Sequence, residues 1–189
     1  RETNASLSRL MIGAEPPQLQ HKPVKAGAVV MAVQGLSVPK LDQFGTTLSD
    51  IAFDVRAGEI VGVAGVSGNG QQELMAALSG EDPRGPAGSI QLFGKDIASH
   101  SPRRRRREGL YFVPEERLGR GAVPVMSLAQ NTLLTRTEGV SASGWIDTTK
   151  VELLAANLIS RFNVKAGGTG AAAKSLSGGN LQKFIVGRE

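Results

Sequence analysis

Two glycine-rich segments hold the residues with the most chemical potential. Near the C-terminal end stand Leu176, Ser177, Gly178, Gly179, Asn180 and, two further on, Gln182. Two glycines at a helix start cost stability, because glycine loses the most backbone freedom on ordering. The cost is rational where backbone N–H groups must come close to a ligand. Ser177 can cap the helix that follows, and the unpaired first-turn amides then form an anion site. The plainer reading of this segment is a flexible Gly-Ser turn before an ordinary helix. The other segment is Gly65, Val66, Ser67, Gly68, Asn69, Gly70, Gln71 and Gln72. It follows an apolar run, residues 59–64, that predicts a buried parallel strand. It precedes residues 73–78, whose Leu74, Met75 and Leu78 share a helical face. Strand, glycine loop and helix are the setting of a phosphate-binding loop, in which successive N–H groups converge on phosphate oxygens. The pattern G-x-x-x-x-G-K-[ST] is met at Gly65 and Gly70 and fails at its two chemical positions. Gln71 stands where a lysine should reach the β- and γ-phosphates, and Gln72 where a hydroxyl should hold Mg²⁺.

Together the two segments resemble the ATP-binding domain of an ABC transporter. Residues 176–180 match its signature motif, with Asn180 in place of the usual glutamine, and residues 65–72 match its Walker A loop in degenerate form. The middle of the chain narrows the resemblance. Ser101, Pro102, five arginines at 103–107, Glu108, Gly109 and Leu110 lead into Tyr111, Phe112, Val113, Pro114, Glu115, Glu116, Arg117, Leu118, Gly119, Arg120 and Gly121. This run is similar to the SPRERR…G…YVPEDR…G stretch of one subfamily, the second half of double-domain ATPases serving bacterial simple-sugar and nucleoside importers. The form Leu176 to Lys183 belongs to the same group, and the resemblance runs from about residue 29 to residue 189.

The resemblance implies an α/β fold, a P-loop ABC ATPase core with an antiparallel flank, a parallel sheet with helices and an inserted helical subdomain, truncated after the signature motif. Residues 1–27 would close a preceding domain and link to this one. Residues 28–115 would form the nucleotide-binding core, 116–175 the helical subdomain, and 176–189 the signature and the start of its helix. Glu115 falls where the family's Q-loop carries glutamine; its carboxylate can still ligate Mg²⁺ but adds negative charge near phosphates. No Walker B strand, catalytic glutamate or switch histidine follows the signature, so no catalytic residue is assigned and the chain alone is expected not to turn over ATP. An α/β sheet lacking its later strands exposes apolar edges. In this family an ATP site forms where the Walker loop of one domain meets the signature of another. Residues 176–179 would therefore serve a site whose Walker loop lies in the first half of a parent chain. ATP and Mg²⁺ are the implied cofactors, both weak or absent at this domain's own loop. The implied partners are that first half, the membrane permease subunits and, indirectly, a substrate-binding protein, at the cytoplasmic face of the bacterial inner membrane. Two other readings stand beside this one: a non-hydrolysing nucleotide-sensing or interaction domain on the same scaffold, and a soluble ABC-type nucleic-acid ATPase.

Composition bounds these readings. A chain of 189 residues, 40% apolar, can build an α/β core, and no run approaches the ~20 apolar residues of a membrane span. Without cysteine there is neither a disulfide scaffold nor a thiolate metal site, and the two histidines, His21 and His100, make no zinc site. The arginines at 103–107 account for the whole net charge of +5. Basic charge confined to one run, with only 4% aromatic residues, argues against a nucleic-acid partner. The run reads as a solvated helix or loop, with lipid headgroups or a partner's carboxylates as alternative contacts.

The elements that must hold these residues follow from pattern. A helix is expected over residues 6–12, then a linker marked by Pro16, Pro17 and Pro23. Strands are expected at 29–33, 48–55, 90–93 and 110–113, with turns at 56–58 and 94–96. Ser127 is a candidate N-cap for a helix over 128–135, and Asp147 or Thr148 for one over 150–162, whose Val151, Leu154, Leu158, Ile159 and Phe162 form a core face. Phe44, in an inserted loop with Leu41, Asp42 and Gln43, is the nearby candidate for stacking on adenine.

Overall fold

The computed structural model describes residues 3–13, 25–137, 139–142 and 145–189. The linker prolines Pro16, Pro17 and Pro23 lie outside them, as does His21. Helix α1 (Asn4–Ile12) begins at Thr3, whose Oγ1 accepts from the Ser6 N–H at 3.2 Å while Ser6 Oγ accepts from the Thr3 N–H at 2.8 Å. This reciprocal cap satisfies two donors that a helix start otherwise leaves unpaired.

The alternating strand patterns form an antiparallel flank. Strands β1 (Val29–Val38) and β2 (Leu48–Arg56) pair from Val29 opposite Arg56 to Val38 opposite Leu48. Strand β3 (Ile90–Leu92) pairs with the other edge of β1, and β4 (Lys95–Asp96) with β3. Phe93 (φ 49°) and Gly94 (φ 75°) make the tight turn between the last two. Two consecutive positive φ values suit the right-handed twist of a hairpin. Helix α2 (Gln71–Ser79) buries Leu74 and Ala77 in a core with Val33, Leu36, Leu48, Ile90, Leu92 and Ile97.

The strand expected at residues 59–64 is not one. That stretch joins neither sheet among the described residues, and Ile60 is 96% and Val63 61% exposed. Residues 110–113 are likewise outside both sheets, with Tyr111 and Val113 exposed. A parallel strand exists only through its neighbours' N–H and C=O groups. Among the described residues no neighbour pairs with either run.

Helix α3 (Pro102–Arg107) corrects the solvated reading of the arginine run. Arg105 is 1% exposed. Its guanidinium donates to the carbonyls of Ala77 (2.6 Å), Leu78 (2.7 Å), Ala98 (2.7 Å) and His100 (2.9 Å). Two of those acceptors belong to the last turn of α2, where orphan carbonyls and the helix dipole favour a cation. Burial presses the guanidinium below its ordinary pKa, with Glu108 and Asp96 offsetting the shift. Arg104 pairs with Glu108 at 3.3 Å and Arg106 with Glu189 at 3.0 Å. Arg105 is therefore internal, whereas Arg103, Arg104 and Arg107 remain exposed.

A further core carries helices α4 (Leu128–Leu133), α5 (Thr148–Arg161) and α6 (Gly178–Arg188). Ser127 and Gln130 form a capping box on α4, and Asp147 caps α5 by accepting from the Lys150 N–H at 3.1 Å. Between α4 and α5 the short strands β5 (Ser141–Ala142) and β6 (Trp145–Ile146) pair antiparallel. Leu128, Val164, Leu181, Phe184 and Ile185 fill the interior, with Ile159 and Phe162 packed against them. Gly187 has no room for a side chain, because an added Cβ would meet the Phe162 ring.

Candidate functional site

The glycine loop is built as its pattern requires. Gly68 (φ 89°) and Gly70 (φ 96°) hold left-handed backbone that a residue with a Cβ resists. Gly70 begins α2 with no side-chain hydrogen bond, so first-turn amides are left for an anion. Thr46 fastens the loop from the β1–β2 connection: its Oγ1 donates to the Gly68 carbonyl at 2.9 Å, and its N–H donates to Glu73 Oε1 at 2.9 Å. Phe44, two residues earlier, is 88% exposed. Ser67 and Gln72 are exposed, whereas the Gln71 side chain folds back into the loop. Its Oε1 accepts from the Asn69 N–H at 3.1 Å and its Nε2 donates to the Val66 carbonyl at 3.0 Å. Two of the loop's backbone groups, the Asn69 N–H and the Val66 carbonyl, are thus already hydrogen-bonded by Gln71.

The signature segment is arranged the other way. Ser177 occupies the N-cap of α6 with extended backbone (φ −63°, ψ 153°), but its side chain caps nothing. Its Oγ accepts instead from Asn180 Nδ2 at 2.9 Å, and Asn180 Oδ1 accepts from the Lys165 N–H at 2.9 Å. Gly178 and Gly179 are exposed, and nothing lies within 4 Å of a Cβ added to Gly179. Leu176 packs against the helical core, and Gln182 points outward beside Lys183. The bare amides and a hydroxyl oriented from behind fit a terminal phosphate presented from outside.

Glu115 is exposed, after the 110–113 stretch. Two residues on, Arg117 donates to the Gly178 carbonyl at 3.4 Å, a contact across 61 residues that ties the Glu115 loop to the signature. Gly121 closes the same loop onto α6, where an added Cβ would sit 2.9 Å from Ile185 Cδ1. Neither contact is written in local spacing. Arg117 could be found in the sequence only as part of the quoted motif, and Thr46 carries no signal there. Among the described residues no hydrogen bond or ion pair joins residues 65–72 to residues 176–182. A cavity of about 340 Å³ lined by Met31, Met75, Leu78, Leu110, Phe112 and Pro114 touches neither motif. No cluster of candidate metal ligands occurs among the described residues.

Fold and motifs define a nucleotide-binding cassette, and comparison with known proteins agrees. The family model "ABC transporter" matches residues 48–188. The chain therefore belongs to the ABC transporter family, as an ATP-binding domain of it. It is 37% identical, over its whole length, to the nucleoside import ATP-binding protein NupA of Lactococcus lactis, of which it spans 37%. It is 37% identical to the guanosine import ATP-binding protein NupO of Bacillus subtilis, spanning 38% of that protein. To the ribose import ATP-binding protein RbsA 1 of Streptomyces avermitilis it is 33% identical over 96% of this chain and 34% of the relative. The chain thus spans little more than a third of these relatives. A nucleotide-free ATP-binding cassette from an ABC transporter superposes with a TM-score of 0.63 at 17% identity, covering 85% of this chain and 64% of that one. The likeness establishes the fold. No helix among the described residues is long and apolar enough to cross a membrane.

Proposed function

We propose that this chain is part of the second ATP-binding domain of an ATPase subunit that energises import of a simple sugar or nucleoside. It works beside a membrane permease at the cytoplasmic face of a bacterial inner membrane, with a substrate-binding protein upstream. Its contribution is to lend a signature motif to the ATP site of a first domain, while its own phosphate loop holds nucleotide weakly. The observation that carries this reading is the contrast between the two motifs. Ser177, Gly178 and Gly179 present open amides and an oriented hydroxyl, whereas Gln71 and Gln72 replace the cation and the metal-binding hydroxyl.

Bound Mg-ATP supplies the phosphoanhydride bond whose cleavage drives transport. Toward it, Ser177 Oγ–H and the amides at the start of α6 would donate to the terminal phosphate and stabilise charge as it departs, at no reorganisation cost because they are held in advance. Arg117 and Asn180 would hold that group of donors in place. At the chain's own loop the missing lysine forfeits a charge-assisted contact worth about 2–3 kcal/mol, a hundredfold in affinity. Glu115 would add a further negative charge. The relatives' names, two for nucleosides and one for ribose, support the solute class.

Calorimetry of the chain with Mg-ATP tests the weak-loop half of this proposal. A dissociation constant in the millimolar range or no measurable binding is expected. Micromolar binding would point instead to a domain that senses nucleotide by itself.

A further inference from the structure

We infer that Gln71 is a built-in occupant of the loop at residues 65–70, so that an anion must displace its amide before it can bind. The inference rests on reading residues 65–72 as a degenerate phosphate loop. It goes beyond that reading, in which the loop is only short of a cation.

A primary amide is the neutral group that can do this. Gln71 Oε1 takes the Asn69 N–H at 3.1 Å, one of the loop donors that a phosphate oxygen would take. Gln71 Nε2 donates to the Val66 carbonyl at 3.0 Å, a position where a phosphate would be repelled. A lysine in the same place has no acceptor and could make only the second contact. The amide also fills the room that the first loop glycine leaves. A Cβ built on Gly65 would lie 2.5 Å from Gln71 Nε2, so the space kept clear by glycine is taken by this chain's own side chain. The rest of the loop is equally self-sufficient. Thr46 donates to the Gly68 carbonyl, and Glu73 accepts from Thr46 while placing a carboxylate in the first turn of α2. That carboxylate answers the positive end of the helix dipole, the same feature an incoming anion would use. Loop donors, glycine space and dipole are each partly satisfied from within.

The test titrates the 189-residue chain with inorganic triphosphate, free of magnesium, and follows backbone amide resonances in wild type, Gln71→Ala and Gln71→Lys. Removing two neutral hydrogen bonds that compete with the ligand should tighten binding on the order of tenfold in Gln71→Ala, although no charge is added. The Asn69 amide should be the resonance that moves most. Gln71→Lys should bind more tightly still. If Gln71→Ala binds no better than wild type while Gln71→Lys does, a missing cation is the whole defect and the inference is overturned, with the phosphate-loop reading intact. If none of the three binds, that reading falls as well. A measurement without any variant guards against misfolding. Hydrogen exchange of the Asn69 amide should be slowed in wild type, and exchange at the rate of an open loop amide would overturn the inference.

Discussion

Asn180 donates from Nδ2 to Ser177 Oγ across 2.9 Å, and its Oδ1 is held by the Lys165 N–H at the same distance. The residue that departs from the family's usual glutamine thus locks the hydroxyl beside it. Because Ser177 Oγ accepts from Asn180, its own proton remains for donation to another acceptor, beside the open face of Gly179.

Asn180→Asp separates this positioning role from a structural one. The carboxylate keeps the acceptor for Lys165 but cannot donate to Ser177, and adds charge where a phosphate is to sit. In a two-domain ATPase of the proposed kind, ATP hydrolysis should fall at least tenfold, with the melting temperature moved by only a few degrees. Asn180→Gln, which keeps the donor, should recover most of the rate. Equal losses in both variants would count against the positioning role.

Arg105 should be among the least replaceable side chains of the chain. Arg105→Ala strands the carbonyls of Ala77, Leu78, Ala98 and His100 and opens a cavity beneath α2. A loss of about 3 kcal/mol in urea unfolding is expected. Arg105→Lys should recover little, since an ammonium cannot span the spread of acceptors that a guanidinium fork reaches. Arg103→Ala, on the exposed side of the same helix, is the control and should change stability by less than about 0.5 kcal/mol.

Stability should fall on the acid side. The Glu108 carboxyl is held below the usual range chiefly by its hydrogen bond from His100, with Arg104 adding to it. Asp96 is held low by the backbone N–H groups of Ala98 and Gly88, and Asp82 by Arg84. Carboxylates whose pKa is depressed on folding contribute stability above their unfolded value, about 4, and lose it as pH falls through the folded value. The urea midpoint should therefore be flat from pH 7 to 5 and drop below about pH 4. Asp96→Asn should be less stable than wild type at pH 7, and the gap should narrow as pH falls below about 4. A gap independent of pH would remove Asp96 from this account.

What was legible in the sequence was what depends on near neighbours. The strands of the antiparallel flank, the caps at Ser127 and Asp147 and the core face of α5 follow from spacing over a few residues. Residues 59–64 read as a strand because they are apolar and bounded by glycine, but strand formation belongs to the pair, and among the described residues no partner strand pairs with them. The arginine run misled for a different reason. Five identical residues carry no periodicity, so nothing in the sequence distinguishes the buried Arg105 from the exposed Arg103. At the candidate site, the loss of lysine and hydroxyl at Gln71 and Gln72 was visible, and the inward fold of Gln71 was not. Side-chain contacts across long separations, such as Arg117 with Gly178, leave no mark on local pattern.

The central claim is that this domain lends one half of an ATP site and owns a weak one. Steady-state ATP hydrolysis by a two-domain ATPase of the proposed kind, comparing Ser177→Arg with Gln71→Ala, tests it most directly. The arginine side chain would fill the space where a phosphate must approach α6, so Ser177→Arg should abolish hydrolysis while Gln71→Ala leaves it nearly unchanged. Equal losses from the two substitutions would contradict the claim.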